Sequence, residues 1–530
     1  MFFHHKLKRN KWLHASLMLC AALSFTACEK ALNINNNPND ATEVSPELVL
    51  PQAIVRTSQI LLGFNDYGGR LMYFANAGGV SGWGDFITYN YSTATEAGRW
   101  ADTYNNLEDF QYVINNTEGD PAQAAFFHAA WVMKAYNFIN LVDMYNDVPY
   151  TEALQGKLNI QPKYDKAEDI YADLAAKLDA AVAWFKAESL PSTFTNADVL
   201  FEGDKTNWAR FANTLKLKLV VKGKDKVAFA SEAIDAVGVL TDDAIVQPGF
   251  TRIAGKQNPM WNRWAYSAAG QAVGTWGIQF IPTPFVLGFY DGSKIADTVR
   301  ADVTFASGLS VPKNQLGDEG TPSNPSPSGL APNSWVLRPT SGGISATNYR
   351  GIGIIKGPSA GQPILYAAEA QFLAAEAVER NLMTGNAKTH FEDGIKASYN
   401  YLYKDENGAG KATVDADTYL ANYKTDNAMN PLVDYDFATT AAQKLEAIIT
   451  QKYIAMNFQF GHEAWNEYRR TGYPAITGTT PVATFVSIKS QATTSDRLPT
   501  RHLYPNTEFA YNAANVPSVD KFSSKIFWAK

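Results

Sequence analysis

Residues 363–396 read PILYAAEAQFLAAEAVERNLMTGNAKTHFEDGIK. Pro363 opens a helix that runs to about Arg380, since the first helical turn has no use for the N–H that proline lacks. Ala368, Phe372 and Ala375 then share one face at helical spacing. Gly385-Asn386 interrupts the pattern, and Ala387, Phe391 and Ile395 restart it on a second helix. Two helices joined by so short a turn lie antiparallel, apolar face against apolar face.

The same signals extend outward. Asp120-Pro121, with Gln123 at the capping-box position, predicts a helix whose stripe is Phe127, Trp131, Phe138, Val142 and Tyr145. Asp165 with Glu168 caps the next, carrying Ile170, Tyr171, Leu174, Leu178 and Phe185. Trp208 to Val221 forms another, and Thr440 with Gln443 caps one bearing Leu445, Ile448, Ile449, Tyr453 and Met456. The 363–396 pair looks like a tetratricopeptide repeat, although an ordinary antiparallel pair shows the same spacing. The expected fold class is all-α: a tetratricopeptide-like helix-pair scaffold over residues 45–530.

One stretch departs from this. From about 249 to 362 the helical period fades and Gly, Pro, Ser and Asn accumulate, most densely from Gly317 to Asn333. So long an irregular segment within a folded chain reads as a loop-rich ligand-binding insertion. Trp261, Trp264, Tyr266 and Trp276 open it, and Trp335 follows. A second aromatic cluster on a glycine-rich loop comes earlier, at Gly82-Trp83-Gly84-Asp85-Phe86 with Tyr89 and Tyr91.

The N-terminus carries an address. Lys6, Lys8, Arg9 and Lys11 precede the apolar run Trp12 to Phe25, which is shorter than the about 20 residues a membrane span needs. Residues 1–27 therefore read as a secretory signal. Phe25-Thr26-Ala27-Cys28 resembles a lipobox, in which Cys28 becomes the lipidated first residue; ordinary cleavage nearby is the alternative. Residues 28–44 form a tether; its Asn-rich tract, Asn33 to Asp40, has Asp40 as the one carboxylate, which does not make a calcium loop.

Removing residues 1–27 leaves 503 residues and takes four positive charges and no negative ones, moving the net charge from −6 to −10. That balance argues against a nucleic-acid surface. Cys20 leaves with the signal, so no free thiol remains for a disulfide, a zinc site or a nucleophile, and only His128, His390, His462 and His502 survive.

Catalytic patterns fail one by one. His462-Glu463 begins like a zinc-protease helix, but Asn466 stands where the second histidine belongs. Neither a phosphate-binding loop nor a nucleophile elbow occurs. Glu369 and Glu376 invite a glycosidase reading, yet seven residues separate their backbones by about 10.5 Å at about 1.5 Å per residue. Glycosidase carboxyls stand about 5 to 9.5 Å apart. The competing reading, in which both pair with Lys452, Arg469 or Arg470 inside a helix stack, is preferred. No enzyme activity, metal or cofactor is expected.

Several segments jointly carry a family resemblance. They are Asn35-Asn-Asn-Pro-Asn39 behind the lipobox, Leu141 to Tyr150, Pro162 to Asp165 leading into Ile170-Tyr171, and Phe201-Glu-Gly-Asp204 with Trp208 to Leu217. Tyr366 to Glu369, Ala375-Glu-Ala377, Gln451-Lys452 to Trp465, Tyr468 to Pro474, and Leu498 to Pro505 with Glu508 and Asn512 complete the set. In this order they resemble the SusD/RagB family of nutrient-binding outer-membrane lipoproteins of Bacteroidetes-type bacteria. Asp297-Thr298-Val299-Arg300 departs from the family's tighter Asp-Pro-Arg, and the loops around Trp83 and from Trp261 to Trp335 match no fixed pattern.

The resemblance implies a helical, non-enzymatic protein, lipid-anchored at Cys28 in the outer membrane and exposed at the cell surface. It implies capture of oligosaccharides, or peptides in some members, and delivery to a SusC-like TonB-dependent transporter. A secreted helical glycoside hydrolase and a purely structural lipoprotein are the competing classes. Gly203-Asp204, Arg469-Arg470 and Arg501 are assigned to architecture.

Sugar C–H faces stack on aromatic rings, which must be accessible to do so. The candidate ligand-binding residues are therefore Trp83, Tyr89, Tyr91, Trp261, Trp264 and Trp276, with Asp85, Asn90, Asn262 and Arg263 as polar partners. Trp83 and Trp276 rank first because glycines flank them. A tryptophan in such a loop is about as often a core anchor as a platform.

Overall fold

The computed structural model describes residues 44–76, 83–273, 280–318 and 335–530. Cys28, the lipobox, most of the tether and Trp276 lie outside the described residues. Among the described residues ten helices exceed ten residues: α1 (Pro46–Met72), α2 (Gly98–Thr117), α3 (Ala124–Tyr145), α4 (Ala167–Ala187), α5 (Lys205–Gly223), α6 (Ala367–Glu379), α7 (Ala387–Tyr403), α8 (Ala416–Asp426), α9 (Ala441–Ala455) and α10 (Gly461–Thr471). They pack against one another: α1 with α2 and α10, α2 with α3, α3 with α4, α4 with α5, and α6 with α7 and α9. None is long and apolar enough to cross a membrane.

Local chemistry starts and stops these helices. Thr440 and Gln443 form the expected capping box at α9. The Asp204 side chain accepts from the Thr206 and Asn207 N–H groups and starts α5. Elsewhere the boundary shifts. Asp120 accepts from the Ala122 N–H in a turn, and α3 begins only at Ala124. Asp165 serves the preceding loop, accepting from the Tyr150 and Thr151 N–H groups, and α4 begins behind Lys166. Pro363 opens no helix: it lies in a strand, and α6 starts at Ala367. Burial of Gln362–Leu365 against a partner strand overrides the local preference of that proline.

Strands are few. β1 (Phe74–Asn76) pairs antiparallel with β3 (Phe280–Pro282), and β2 (Ala244–Val246) with β4 (Gln362–Leu365). From 249 to 362 the only other regular elements among the described residues are brief, such as the helices Pro259–Trp264, Pro284–Leu287 and Thr298–Thr304.

The helix stack encloses charge. Lys218 bridges Glu369 and Glu463, both at 2.9 Å. Lys222 lies 2.7 Å from Asp143 and 2.9 Å from Glu463, and Lys452 lies 3.2 Å from Glu463 and 2.9 Å from Glu467. Arg470 forks onto both Glu376 oxygens at 2.6 Å. Glu369 and Glu376 are thus spent on buried cations, 1 % and 2 % exposed, and form no glycosidase pair that a substrate can reach. Arg469 is not among their partners. It stacks on Trp465 at 3.5 Å and donates to the Asp143 and Thr500 carbonyls. Arg501 donates to the Tyr145 and His502 carbonyls, an architectural role.

Candidate functional site

The C-terminal half of α1 is buried on nearly every side and leads into β1, so whatever it carries sits where the helical body meets the loops. The ribbon of β1 and β3 roots those loops. Asn314 donates to the Asn76 carbonyl at 3.1 Å, and Trp335 Nε1 donates to the Phe280 carbonyl at 3.1 Å.

The aromatic residues expected to face ligand are the pins of this junction. Trp83 packs on Phe280 with centroids 4.7 Å apart, and Trp264 on Phe280 at 4.6 Å and Phe458 at 4.9 Å. Trp261 packs on Tyr349 at 4.5 Å. The Tyr89 oxygen accepts from the Ser487 N–H at 3.0 Å, and Tyr91 packs between Tyr67 and Phe86. None of the five exceeds 4 % exposure, so none is a stacking platform. The physical reason is the loops themselves. Irregular backbone makes no ladder, and large buried rings hold it against the body instead. Trp335 does the same against Phe74 and Phe458.

The polar candidates fare differently. Asn90 and Asn262 are exposed, and the Asn262 side-chain Oδ1 accepts from Gln257 Nε2. Asp85 is also exposed; it accepts from the Thr95 hydroxyl and so holds the turn that leads into α2. Arg263, 32 % exposed, is 2.9 Å from the Asp66 carboxylate, which Arg70 also reaches at 3.2 Å. The Arg70 guanidinium lies over Phe86 at 3.9 Å, Phe280 at 5.0 Å and Trp83 at 5.2 Å.

Arg263 lines a cleft of about 260 Å³ with Arg56, Gln59, Ile60, Gly63, Glu96, Arg99 and Asp102. Arg56 pairs with Asp102 at 2.8 Å across α1 and α2. Arg99 donates to the Gly63 carbonyl and to Glu96, each at 2.8 Å. Glu96 has a left-handed backbone, φ 56°, which costs an L-residue roughly 1–2 kcal/mol and is offset by that charged contact. The guanidinium groups of Arg56, Arg99 and Arg263 and the carboxylates of Glu96 and Asp102 thus line the cleft, and the buried Asp66 behind Arg263 is shared with Arg70. The cleft is dense in planar donors and acceptors, and each guanidinium already has a carboxylate partner, which suits an uncharged polyhydroxylated ligand. Nearby, burial pushes the His502 imidazole down to about 3, so it stacks against Tyr91 as a neutral ring.

Of this cleft the sequence reading contained only Arg263. Asp66 and Arg70, four apart in an apolar helix, and Glu96 with Arg99, three apart, were the available signals. A larger cleft of about 490 Å³ lies beside α7 and α8. Its Lys396 is already committed to Asp393 and Asp417, at 2.8 and 3.2 Å.

Comparison with known proteins places the chain. The profile of a family described as "Starch-binding associating with outer membrane" matches residues 38–268 and 333–505, leaving out most of the loop-rich stretch. No curated protein matches the chain. A chitin-binding SusD homologue from Flavobacterium johnsoniae superposes with a TM-score of 0.64 at 22 % identity, covering 90 % of this chain and 98 % of the other. A SusD homologue from Bacteroides uniformis gives 0.62 at 21 %, covering 91 % and 99 %. A SusD-like protein from Bacteroides thetaiotaomicron gives 0.65 at 20 %, covering 92 % and 99 %. At such identities the structural likeness is one of fold.

Proposed function

Because this chain belongs to the SusD-like family of starch-binding proteins that associate with the outer membrane, we propose that it captures oligosaccharides at the cell surface and delivers them to a partner transporter. The observation that carries the binding half is the cleft in which Arg56, Arg99 and Arg263 are each paired with a carboxylate. Guanidinium forks and carboxylates are the groups that satisfy sugar hydroxyls without demanding a charged ligand. Calorimetric titration of protein lacking residues 1–28 with malto-oligosaccharides, chito-oligosaccharides and peptide pools tests it. Saturable binding of one sugar class is expected, and Arg263→Ala should weaken it about tenfold or more, roughly 1.4 kcal/mol. Peptide binding alone would favour the peptide-carrying reading, and cleavage of the sugar would favour a hydrolase.

Delivery requires the protein to stay at the membrane, and Cys28 is the proposed anchor. Cys28→Ala should move the protein to the soluble fraction with unchanged unfolding behaviour, because acyl chains supply the attachment and the tether carries no core. Retention of the variant in membranes lacking a partner transporter would contradict this. The proposed partner is a SusC-like TonB-dependent barrel, and gentle solubilisation should recover the two together.

A further inference from the structure

Ten of the twelve tryptophans lie among the described residues, and eight of those are buried. The two half-buried ones, Trp131 and Trp184, sit on the neighbouring helices α3 and α4. Neither is near the arginine cleft in sequence or on its elements. Accessibility is the condition that the described loop tryptophans fail, so among the described residues these two rings are the ones that can meet ligand.

They differ in what covers them. Lys134 Nζ lies 4.5 Å and Lys177 Nζ 4.7 Å from the Trp131 ring centroid, so two ammonium groups occupy its face. Trp184 has no such cation among the described residues. His128 stacks on it at 5.0 Å and 22°, and Phe185 meets it edge-on at 5.2 Å. Burial pushes the His128 imidazole down to about 4, so a neutral ring backs the indole at ordinary pH. The indole is thereby held in one orientation while remaining half-exposed.

Its exposed part lines a groove of about 460 Å³ with Pro121, Ala122, Ala124, Ala125, Glu188, Ser189, Leu190 and Pro191. That volume lies within the about 300–1,000 Å³ of small-molecule sites. Ala122 in the turn before α3 and Ala124 and Ala125 at its start add no bulk beyond Cβ and leave the space beside the indole open. The Glu188 carboxylate and Ser189 hydroxyl are both exposed and make no hydrogen bond to a side chain or backbone group among the described residues. Rigid indole, neighbouring carboxylate and hydroxyl, and free volume are what one pyranose ring needs: a face to stack on and partners for its equatorial hydroxyls.

We propose that the Trp184 groove is an accessory carbohydrate site, separate from the arginine cleft, which holds a pyranose unit by stacking on the indole with Glu188 and Ser189 bonding its hydroxyls. It rests on the reading of the protein as a glycan binder and adds a second point of attachment. A long chain bound at two points gains avidity over either site alone when it can span them.

The test uses the protein lacking residues 1–28, labelled with 5-fluorotryptophan, the Trp184 resonance being assigned by its loss in Trp184→Phe. Maltoheptaose, chitohexaose and a proline-rich peptide are titrated separately into wild type and Arg263→Ala. A saturable shift of the Trp184 resonance with one of the two sugars, persisting in Arg263→Ala, is expected. Trp184→Ala should lower sugar stoichiometry by one site, and Trp184→Phe should keep weakened binding there. If a sugar saturates the arginine cleft and the Trp184 resonance does not move, the accessory site is wrong and glycan capture stands. If neither sugar produces any response, both fall. A Trp184 shift with the peptide alone overturns the carbohydrate assignment in favour of proline recognition.

Discussion

Glu463→Ala is expected to cost the folded protein about 3–5 kcal/mol, the range for breaking a buried ion pair from one side. Glu463 on α10 joins Lys218 and Lys222 from α5 and Lys452 from α9, and it also accepts from Asn466 at 3.0 Å. Its side chain is 5 % exposed, and those of Lys222 and Lys452 are at most 1 %. Alanine would remove the one carboxylate that all three ammonium groups reach and leave them only Asp143, Glu369 and Glu467, the last also claimed by Arg470. Urea unfolding of the variant should show the loss directly. A change below about 1 kcal/mol, the worth of a surface pair, would mean the cluster is solvated.

The same group sets an acid limit. Burial alone would raise the Glu463 carboxyl, but Lys218, Lys222 and Lys452 outweigh it and hold the group well below the usual carboxylate range. A carboxyl whose pKa is lower in the folded state stabilises fully above its unfolded value, about 4.3, and loses that contribution as pH falls toward the folded one. Glu467 is lowered in the same sense, burial being overcome by Arg470 and Lys452. Stability should therefore fall on acidification below about pH 5, and Glu463→Gln should show a shallower acid limb.

Gly461→Ala is the second large effect, and two forces oppose each other there. Alanine is favoured over glycine within a helix by about 0.8–1 kcal/mol. However, α1 and α10 cross with their backbones in contact. A Cβ on Gly461 would stand 2.6 Å from Gly69 Cα and 2.7 Å from the Asn65 carbonyl oxygen, and one on Gly68 would meet the Gly461 backbone. Backbone cannot swing aside as a side chain can, so the helices must separate. Overpacking of this kind typically costs about 1–3 kcal/mol, occasionally more. The net effect should be destabilising, and Gly461→Val should be worse because its branched carbon crowds both sides. An Ala variant more stable than wild type would show that the helices part freely.

Helices were legible where the information is local. A capping threonine with glutamine three residues on, or Ile448, Ile449 and Tyr453 at helical spacing, states its meaning within one or two turns. Errors at Pro363 and Asp165 came where a distant partner claimed the residue: β2 in one case, the Tyr150–Thr151 backbone in the other. Pairing of Glu369 and Glu376 with Lys452 and Arg470 was readable because buried carboxylates without chemistry require cations. Arg469 pairs with neither glutamate because it donates to two backbone carbonyls, which leave no mark in a sequence, and to Asn466 on its own helix.

By itself, then, the sequence determined the helical class, the paired arrangement of helices and the family, all of which rest on short-range spacing or on motifs in fixed order. Only the tertiary structure decided what each loop aromatic does, because burial depends on atoms supplied from far along the chain. Trp335 is enclosed by Phe74 and Phe458, and Trp264 by Phe280 and Phe458. A tryptophan carries the same apolar area whether it anchors a loop or meets a sugar. What separates the two is whether other side chains cover the ring first, and that is settled when the segments pack.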